Sequence, residues 1–301
     1  MLCQSAGVTV IDVHQHLWPE PLIEMLSTRR RPPRLSASTL ELAGEPAIEV
    51  DLDAHRLETR LALLDRCEIE LAIVSLPPTL GLGVLAEEEW DELADAYDRG
   101  IVELAAASDR LVPLAAGPSV EGFAGACIGA SAFLDLERLA PRLDELEQRG
   151  AFVFVHPGPA LAPPTAPPNP PLWWPAVVEH TAQMQSAYAI WLDRGAERWP
   201  RLEVVFAILA GGAPFQLERL QSRGISGRDT LHETVSFESA SYGRRALELC
   251  LSTLGVERVL FGSDAPTLDP GLALDAVRGF GDAVADTVCN RNPSRLLAQK
   301  A

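Results

Sequence analysis

Lysine is almost missing from this 301-residue chain: of 25 Lys and Arg residues, only Lys300 is a lysine. A Schiff-base mechanism would have only this lysine, in the C-terminal tail, to use, so neither it nor a carbamylated lysine bridging two metals is expected. The arginine surplus is read as codon bias and is assigned no function. Positive charge is short overall. The net charge of −17 argues against a surface for nucleic acid or an anionic membrane. Cysteine pairs are missing too. Cys3, Cys67, Cys127, Cys250 and Cys289 are scattered with no C-x-x-C spacing, and Cys67, Cys127 and Cys250 lie in apolar segments where a buried, reduced thiol is the default. No apolar stretch reaches membrane-spanning length, and no charged-then-apolar leader opens the chain. The expected compartment is a reducing cytoplasm.

What the chain does contain is apolar material for a large core, at 47% hydrophobic residues. Eight short apolar runs alternate with helical patterns. The strand candidates are residues 8–13, 69–75, 111–116, 125–130, 151–155, 203–208, 234–238 and 258–262. Most are β-branched or aromatic, as expected for strands covered on both faces of a parallel sheet. Between them, segments such as 56–66, 88–107, 136–149, 173–194, 214–223 and 243–254 show apolar residues three and four apart, with Leu57, Leu61 and Leu64 as an example. Gly100, Gly150, Gly195 and Gly255 stand where helices would end. Eight β-then-α units predict a (β/α)8 TIM barrel in one domain over residues 1–301. A doubly wound open sheet is the alternative.

Three of the strands end in potential metal ligands. His14 and His16 follow Val8–Val13, His156 follows Ala151–Val155 and precedes Pro157-Gly158, and Asp264 follows Gly262-Ser263 and precedes Ala265-Pro266. Alternate strand residues project to one side, so His-x-His aims two imidazoles at one point. Taken alone, that pair could equally be two surface histidines. A closed barrel brings strands one, five and eight to a common mouth, which an open sheet does less readily. Three imidazoles and a carboxylate make a mononuclear site suited to Zn²⁺, with Mn²⁺, Co²⁺ or Fe²⁺ feasible. Asp264 is the candidate both for holding the metal and for taking a proton.

Two connections are long for a barrel. The first, from Leu17 to about His55, holds the basic run Arg29–Arg34 and an alternating pair, 39–42 and 47–50, that predicts a small β-hairpin inserted after strand one. The second, Pro157 to Pro175, holds nine of the 24 prolines and ends in Trp173-Trp174, which predicts a semi-rigid flap. Both leave the C-terminal ends of strands, where barrel active sites sit.

The segments Ile11-Asp12-Val13-His14-Gln15-His16-Leu17-Trp18, Val155-His156-Pro157-Gly158 and Phe261-Gly262-Ser263-Asp264-Ala265-Pro266 resemble the metal motifs of the amidohydrolase-related family. That family includes the aminocarboxymuconate-semialdehyde and γ-resorcylate decarboxylase types together with lactone hydrolases. Leu64–Ile69 and Asn292–Leu297 resemble its segments before strand two and at the chain's close, so the likeness runs nearly end to end. The resemblance implies a distorted TIM barrel with His14, His16, His156 and Asp264 as ligands. It also implies a metal-dependent hydrolase acting on a small carboxylate, lactone or amide through metal-activated water, or else a non-oxidative decarboxylase.

One departure bears on both activities. Arg198–Ala207 followed by Ile208-Leu209-Ala210-Gly211-Gly212 is similar, without gaps, to the family's strand-six segment, yet the family histidine falls on Ile208, or on Leu209 with a one-residue shift. Neither can exchange a proton, and help of that kind is typically worth about 10²–10⁴-fold. A third reading is therefore a catalytically degenerate binding protein. Candidate substitutes are Glu238, at the end of strand seven, and His180, in the helix after the proline flap. His55 and His232 are read as structural, near the opposite face of the barrel. Trp18, Trp173, Trp174 and Ile208 are candidates to line a small-molecule pocket, and the Arg29–Arg34 cluster could attract a carboxylate. A homodimer is expected only by analogy.

Overall fold

The structure is a computed structural model that describes residues 9–159, 171–224 and 232–298. Val8, Cys3, Lys300 and residues 160–170 of the proline-rich connection lie outside the described residues. Eleven strands are present among the described residues: β1 (Ile11–His16), β2 (Arg34–Ser36), β3 (Thr39–Glu41), β4 (Ile48–Glu49), β5 (Leu71–Ser75), β6 (Leu111–Pro113), β7 (Gly125–Gly129), β8 (Phe152–His156), β9 (Val204–Phe206), β10 (Val235–Glu238) and β11 (Val259–Leu260).

Eight of these, β1 and β5 through β11, are the parallel strands of the barrel. They pair in two arcs, β1-β5-β6 and β11-β10-β9-β8-β7. Backbone hydrogen bonds join the arcs at both seams. At one, Ala115 N–H donates to the Gly125 carbonyl (2.9 Å) and Cys127 N–H to that of Ala115 (3.2 Å). At the other, Val13 N–H donates to Phe261 (3.0 Å), Asp264 N–H to His14 (2.8 Å) and His16 N–H to Ala265 (2.7 Å). A barrel made of two ladders joined by such bridges is the distorted form expected, and an open doubly wound sheet is set aside.

The local reasons are those of a parallel barrel. All six residues of β1 and all five of β8 are buried; β8 is apolar up to His156, whereas β1 buries Asp12, His14, Gln15 and His16, each with a polar partner. Helix Leu57–Cys67 buries Arg60, Leu64 and Cys67, spaced four and three apart, against the sheet. Asp135 and Asp269 cap the helices that follow them, each carboxylate accepting a backbone N–H (3.1 and 2.8 Å). Cys67, Cys127, Cys250 and Cys289 are buried and free. No described helix is long and apolar enough to cross a membrane.

The expected strand positions hold, with shifted ends. β1 runs three residues further than expected and takes in both histidines, with a register irregularity between Asp12 and Gln15 in its pairing to β5. β9 stops at Phe206, two residues before the expected end, because Ile208 already starts a turn. The expected hairpin is β3 paired with β4, Leu40 opposite Ile48, and β2 adds a third antiparallel strand. Helix Glu20–Thr28 in the same connection was not anticipated; Pro19 before it, Pro21 in its first turn and the arginine run after it obscure its Leu22/Leu26 spacing.

The seam between β7 and β8 tolerates no side chain at Gly125, where an added methyl would lie 2.1 Å from the Phe152 carbonyl oxygen. Gly125→Ala is expected to lose about 3 kcal/mol of stability, read as a lowered urea midpoint; an unchanged midpoint would show that this ladder is not tight.

Candidate metal centre

Four side chains from three strand ends converge at one mouth of the barrel. One ligand atom each from His14, His16, His156 and Asp264 lies within 4.8 Å of all the others. The nearest pairs are His16 Nε2 to Asp264 Oδ1 (3.2 Å), His14 Nε2 to His16 Nε2 (3.3 Å) and His14 Nε2 to Asp264 Oδ1 (3.6 Å). Four donors around a divalent ion at bonds of about 2.0–2.1 Å would stand about 3.3 Å apart. The residues present therefore fit the group. The three rings sit edge to face, with centroids 4.9–5.0 Å apart.

Each imidazole is held through its other nitrogen. Glu238 Oε2 lies 2.8 Å from His14 Nδ1, the Ser75 carbonyl 3.2 Å from His16 Nδ1, and the Pro157 carbonyl 2.8 Å from His156 Nδ1. Acceptors at all three Nδ1 positions place the proton there and leave each Nε2 lone pair for a cation. Burial lowers His16 against the pull of the Asp264 carboxylate facing it, and burial together with the neighbouring imidazoles holds His156 well below the usual range. Burial also opposes charge on His14, but the Glu238 carboxylate outweighs it and raises His14 to about 9. A cation bound there takes the place of that proton. Burial raises Asp264, yet the His16 hydrogen bond and the two imidazoles bring it below the ordinary carboxylate range. Its side chain is 18% exposed against 1% for His14, so the carboxylate is the ligand that reaches the open side.

Behind the ligands runs a buried polar chain that sequence reading missed. Asp12 Oδ1 accepts the backbone N–H groups of His14 (3.1 Å) and Ser263 (3.0 Å), tying the histidine strand to the residue before Asp264. Asp12 Oδ2 accepts from Gln15 Nε2 (2.8 Å), and Gln15 Oε1 accepts from Arg60 (2.7 Å), which also donates to the His16 carbonyl (2.8 Å). Asp12 was visible as part of its motif, but Arg60 looked like any helix arginine. Only its place in the Arg60-Leu64-Cys67 stripe marked it as inward-facing.

The remaining candidates divide sharply. Glu238 does not open onto the mouth as a free carboxylate. It is fully buried; Oε2 faces His14 and accepts the Ile208 N–H (3.2 Å), while Oε1 accepts the Ala240 N–H. Trp18 is buried and stacks on His55, centroids 4.6 Å apart and 9° from parallel, and its backbone N–H donates to His55 Nδ1 (3.2 Å). His55 thus belongs to the wall beside His16, which influences it electrostatically, and not to the far face as expected. Trp173 is 56% exposed, and it and Trp174 contact each other (5.9 Å); among the described residues no ring contact joins either to the ligands. Arg29 pairs with Glu89 (2.8 Å) and Arg34 with Glu41 (2.6 Å), inside the insertion and its surroundings. His232 lies before β10, bonded to Thr234 (2.9 Å), at the opposite end as expected. Phe154, two residues before His156, packs under the His14 ring at 5.0 Å and was not singled out by sequence.

Ile208 opens a left-handed turn: Ile208, Leu209, Ala210 and Gly211 have φ of 45, 51, 51 and 66°. Such a backbone costs about 1–2 kcal/mol per non-glycine residue, and strain of this kind collects at functional sites. Hydrogen bonds hold the turn, from Ile208 N–H to Glu238 and from Gln185 to the Gly211 carbonyl (2.8 Å).

A parallel barrel with three imidazoles and a carboxylate at the C-terminal ends of its strands is the frame of a single-metal barrel enzyme. The amidohydrolase family pattern matches residues 11–298, and the chain belongs to that family. It is 23% identical over 286 residues to a 2-amino-3-carboxymuconate-6-semialdehyde decarboxylase of Dictyostelium discoideum, covering 83% of this chain and 78% of that one. Among solved structures it resembles the IDCase of Metarhizium anisopliae in apo form (TM-score 0.81, 20% identity, all of both chains). It also resembles the 5-carboxyvanillate decarboxylase of Novosphingobium aromaticivorans complexed with manganese and 4-hydroxy-3-methoxy-5-nitrobenzoic acid (TM-score 0.74, 15% identity, 98% of this chain and 97% of that one).

Glu238 holds His14 by charge as well as by position. Glu238→Gln, which keeps the volume, is expected to weaken Zn²⁺ or Mn²⁺ binding about 10-fold or more, measured by competition with a chelator. Unchanged affinity would show that the His14–Glu238 contact does not support the centre.

Proposed function

We propose that the protein is a metal-dependent, non-oxidative decarboxylase of a small unsaturated or aromatic carboxylic acid. The observation that carries the reading is the one four-ligand cluster among the described residues, closed around one point in a chain similar to proteins named as 2-amino-3-carboxymuconate-6-semialdehyde and 5-carboxyvanillate decarboxylases. Hydrolysis of a lactone or amide stood first on sequence alone and becomes the second reading, supported by membership of the amidohydrolase family. Two features support catalysis over a degenerate binding role: the ligand set is complete, and each imidazole is held through its Nδ1.

His14, His16, His156 and Asp264 would hold one divalent ion, Zn²⁺ or Mn²⁺. When bound, the ion acts as a Lewis acid for the substrate carboxylate and a neighbouring oxygen. The protein's own groups do the rest. The buried Phe154 and Trp18 exclude water on two sides, and exclusion of water strengthens each charge interaction inside. The bond between the substrate carbon and its carboxylate breaks, CO2 leaves, and the electron pair stays on the carbon. That carbon then takes one proton. Asp264, the one ligand open to the mouth, is placed to pass it in from solvent. Glu238, walled in by His14, Ile208 and Ala240, acts by positioning His14 and handles no substrate proton.

The test is product analysis on a panel of hydroxybenzoic acids, muconate-type acids and aryl lactones. CO2 release from at least one acid is expected, lost by at least 100-fold on chelation and restored by Zn²⁺ or Mn²⁺. Acid release from lactones without any CO2 would replace this reading with the hydrolase. Metal retention without either product would leave the binding-protein reading.

A further inference from the structure

The left-handed turn at Ile208 leaves the mouth without an imidazole where the family carries one, and the segment packed against that turn brings another. Helix His180–Ile190 continues the helical segment Pro175–Glu179. Its first half is fastened on both sides. Gln183 Oε1 accepts the Gly158 N–H (2.8 Å) and its Nε2 donates to the Pro159 carbonyl (3.2 Å), just beyond the ligand His156. On the other side, Gln185 donates to the Gly211 carbonyl (2.8 Å). The Thr181 carbonyl lies so close to Gly211 that an added methyl there would come within 2.4 Å of it. The start of the helix therefore bridges the strand end bearing His156 and the turn that begins at Ile208.

His180 is partly buried at this junction, on the same helical face as Gln183 and the buried Met184 and Ala187, and its charge interacts with those of Asp264 and His156. It is not one of the four residues whose ligand atoms cluster. Burial, opposed by the Asp264 charge, lowers its pKa to about 4. Its imidazole is thus neutral near pH 7, with one nitrogen to donate a hydrogen bond and one to accept.

We propose that His180 is the substrate-contacting imidazole of this site, supplied from the helix after strand five in place of the strand-six histidine that Ile208 has displaced. The residue would bind and orient an oxygen of the substrate next to the metal ligands. An apolar Ile208 then forms wall instead of machinery, which changes the side of the pocket from which the substrate is held. This rests on the small-carboxylate reading above.

The experiment uses the full chain loaded with Mn²⁺ and titrates salicylate, a small hydroxylated carboxylate, by calorimetry. His180→Ala is expected to bind salicylate about 10-fold or more weakly than wild type, since a hydrogen bond to a charged ligand is lost, with metal content and unfolding midpoint unchanged. His180→Gln, which keeps a hydrogen-bonding group, should recover most of that affinity. His180→Ala/Ile208→His, which returns an imidazole to strand six, should recover part of it. Equal salicylate affinity in wild type and His180→Ala, measurable or not, overturns the inference, and so does loss of Mn²⁺ from the His180→Ala protein. The two readings fail separately. Salicylate binding that depends on His180 without CO2 release from any acid would sink the decarboxylase alone. CO2 release at equal rates in wild type and His180→Ala would sink only the role of His180.

Discussion

The structure depends on one closure: the segment after the last barrel strand hydrogen-bonds to the first strand. Phe261, Asp264 and Ala265 exchange backbone bonds with Val13, His14 and His16, and the Asp12 carboxylate spans the same seam to Ser263. Residues some 250 positions apart in the chain are thereby fixed to within one hydrogen bond of each other. If that seam opened, Asp264 would leave the histidine pair. Asp264 also sits at φ 63°, a conformation that Asp tolerates better than most residues, and its N–H bond to the His14 carbonyl holds it there.

Such a centre is costly to build, because it gathers four ligand groups in a dry interior. The chain offsets part of this by giving the ring nitrogens of the three histidines and the carboxylates of Asp12 and Glu238 specific partners. Glu238 serves three groups at once: the His14 ring, the Ile208 N–H and the Ala240 N–H. It therefore couples the orientation of a ligand to the left-handed turn of strand six. The space this arrangement needs is guarded by Gly262, where an added methyl would lie 2.2 Å from Glu238 Oε1. The backbone at 208–211 keeps a strained form even though an isoleucine now leads it. Its shape serves the packing of helix His180–Ile190 as well as any side chain at that position.

Belonging to the amidohydrolase family accounts for the barrel and its ligands, and it leaves the local chemistry open. The relatives found are 15–23% identical to this chain, a range in which a frame persists while pocket walls are rebuilt. An isoleucine at 208, where the family resemblance implies a histidine, with His180 on the preceding helix, fits rebuilding of that kind.

Much was legible in the sequence because it rests on period and local rules. Strands covered on both faces run largely apolar, so β5 and β8 were found within a few residues, β1 was found from the apolar run leading into it, and the His-x-His pair had to share one side of its strand. The ligand set followed from three strand ends and the closure of a barrel. What sequence could not supply is which way a polar residue faces once the chain has closed. Glu238 read as an open carboxylate and proved to be sealed behind His14; His55 read as remote and stacks on Trp18; Trp173 read as pocket lining and stands in solvent; Arg60 went unnoticed and anchors Gln15. Local sequence determined the elements, the ligand types and their order along the chain. Only tertiary structure decided which nitrogen each histidine turns inward and which neighbours stand behind it, because those depend on atoms brought together across the barrel, where no spacing along the chain records a distance.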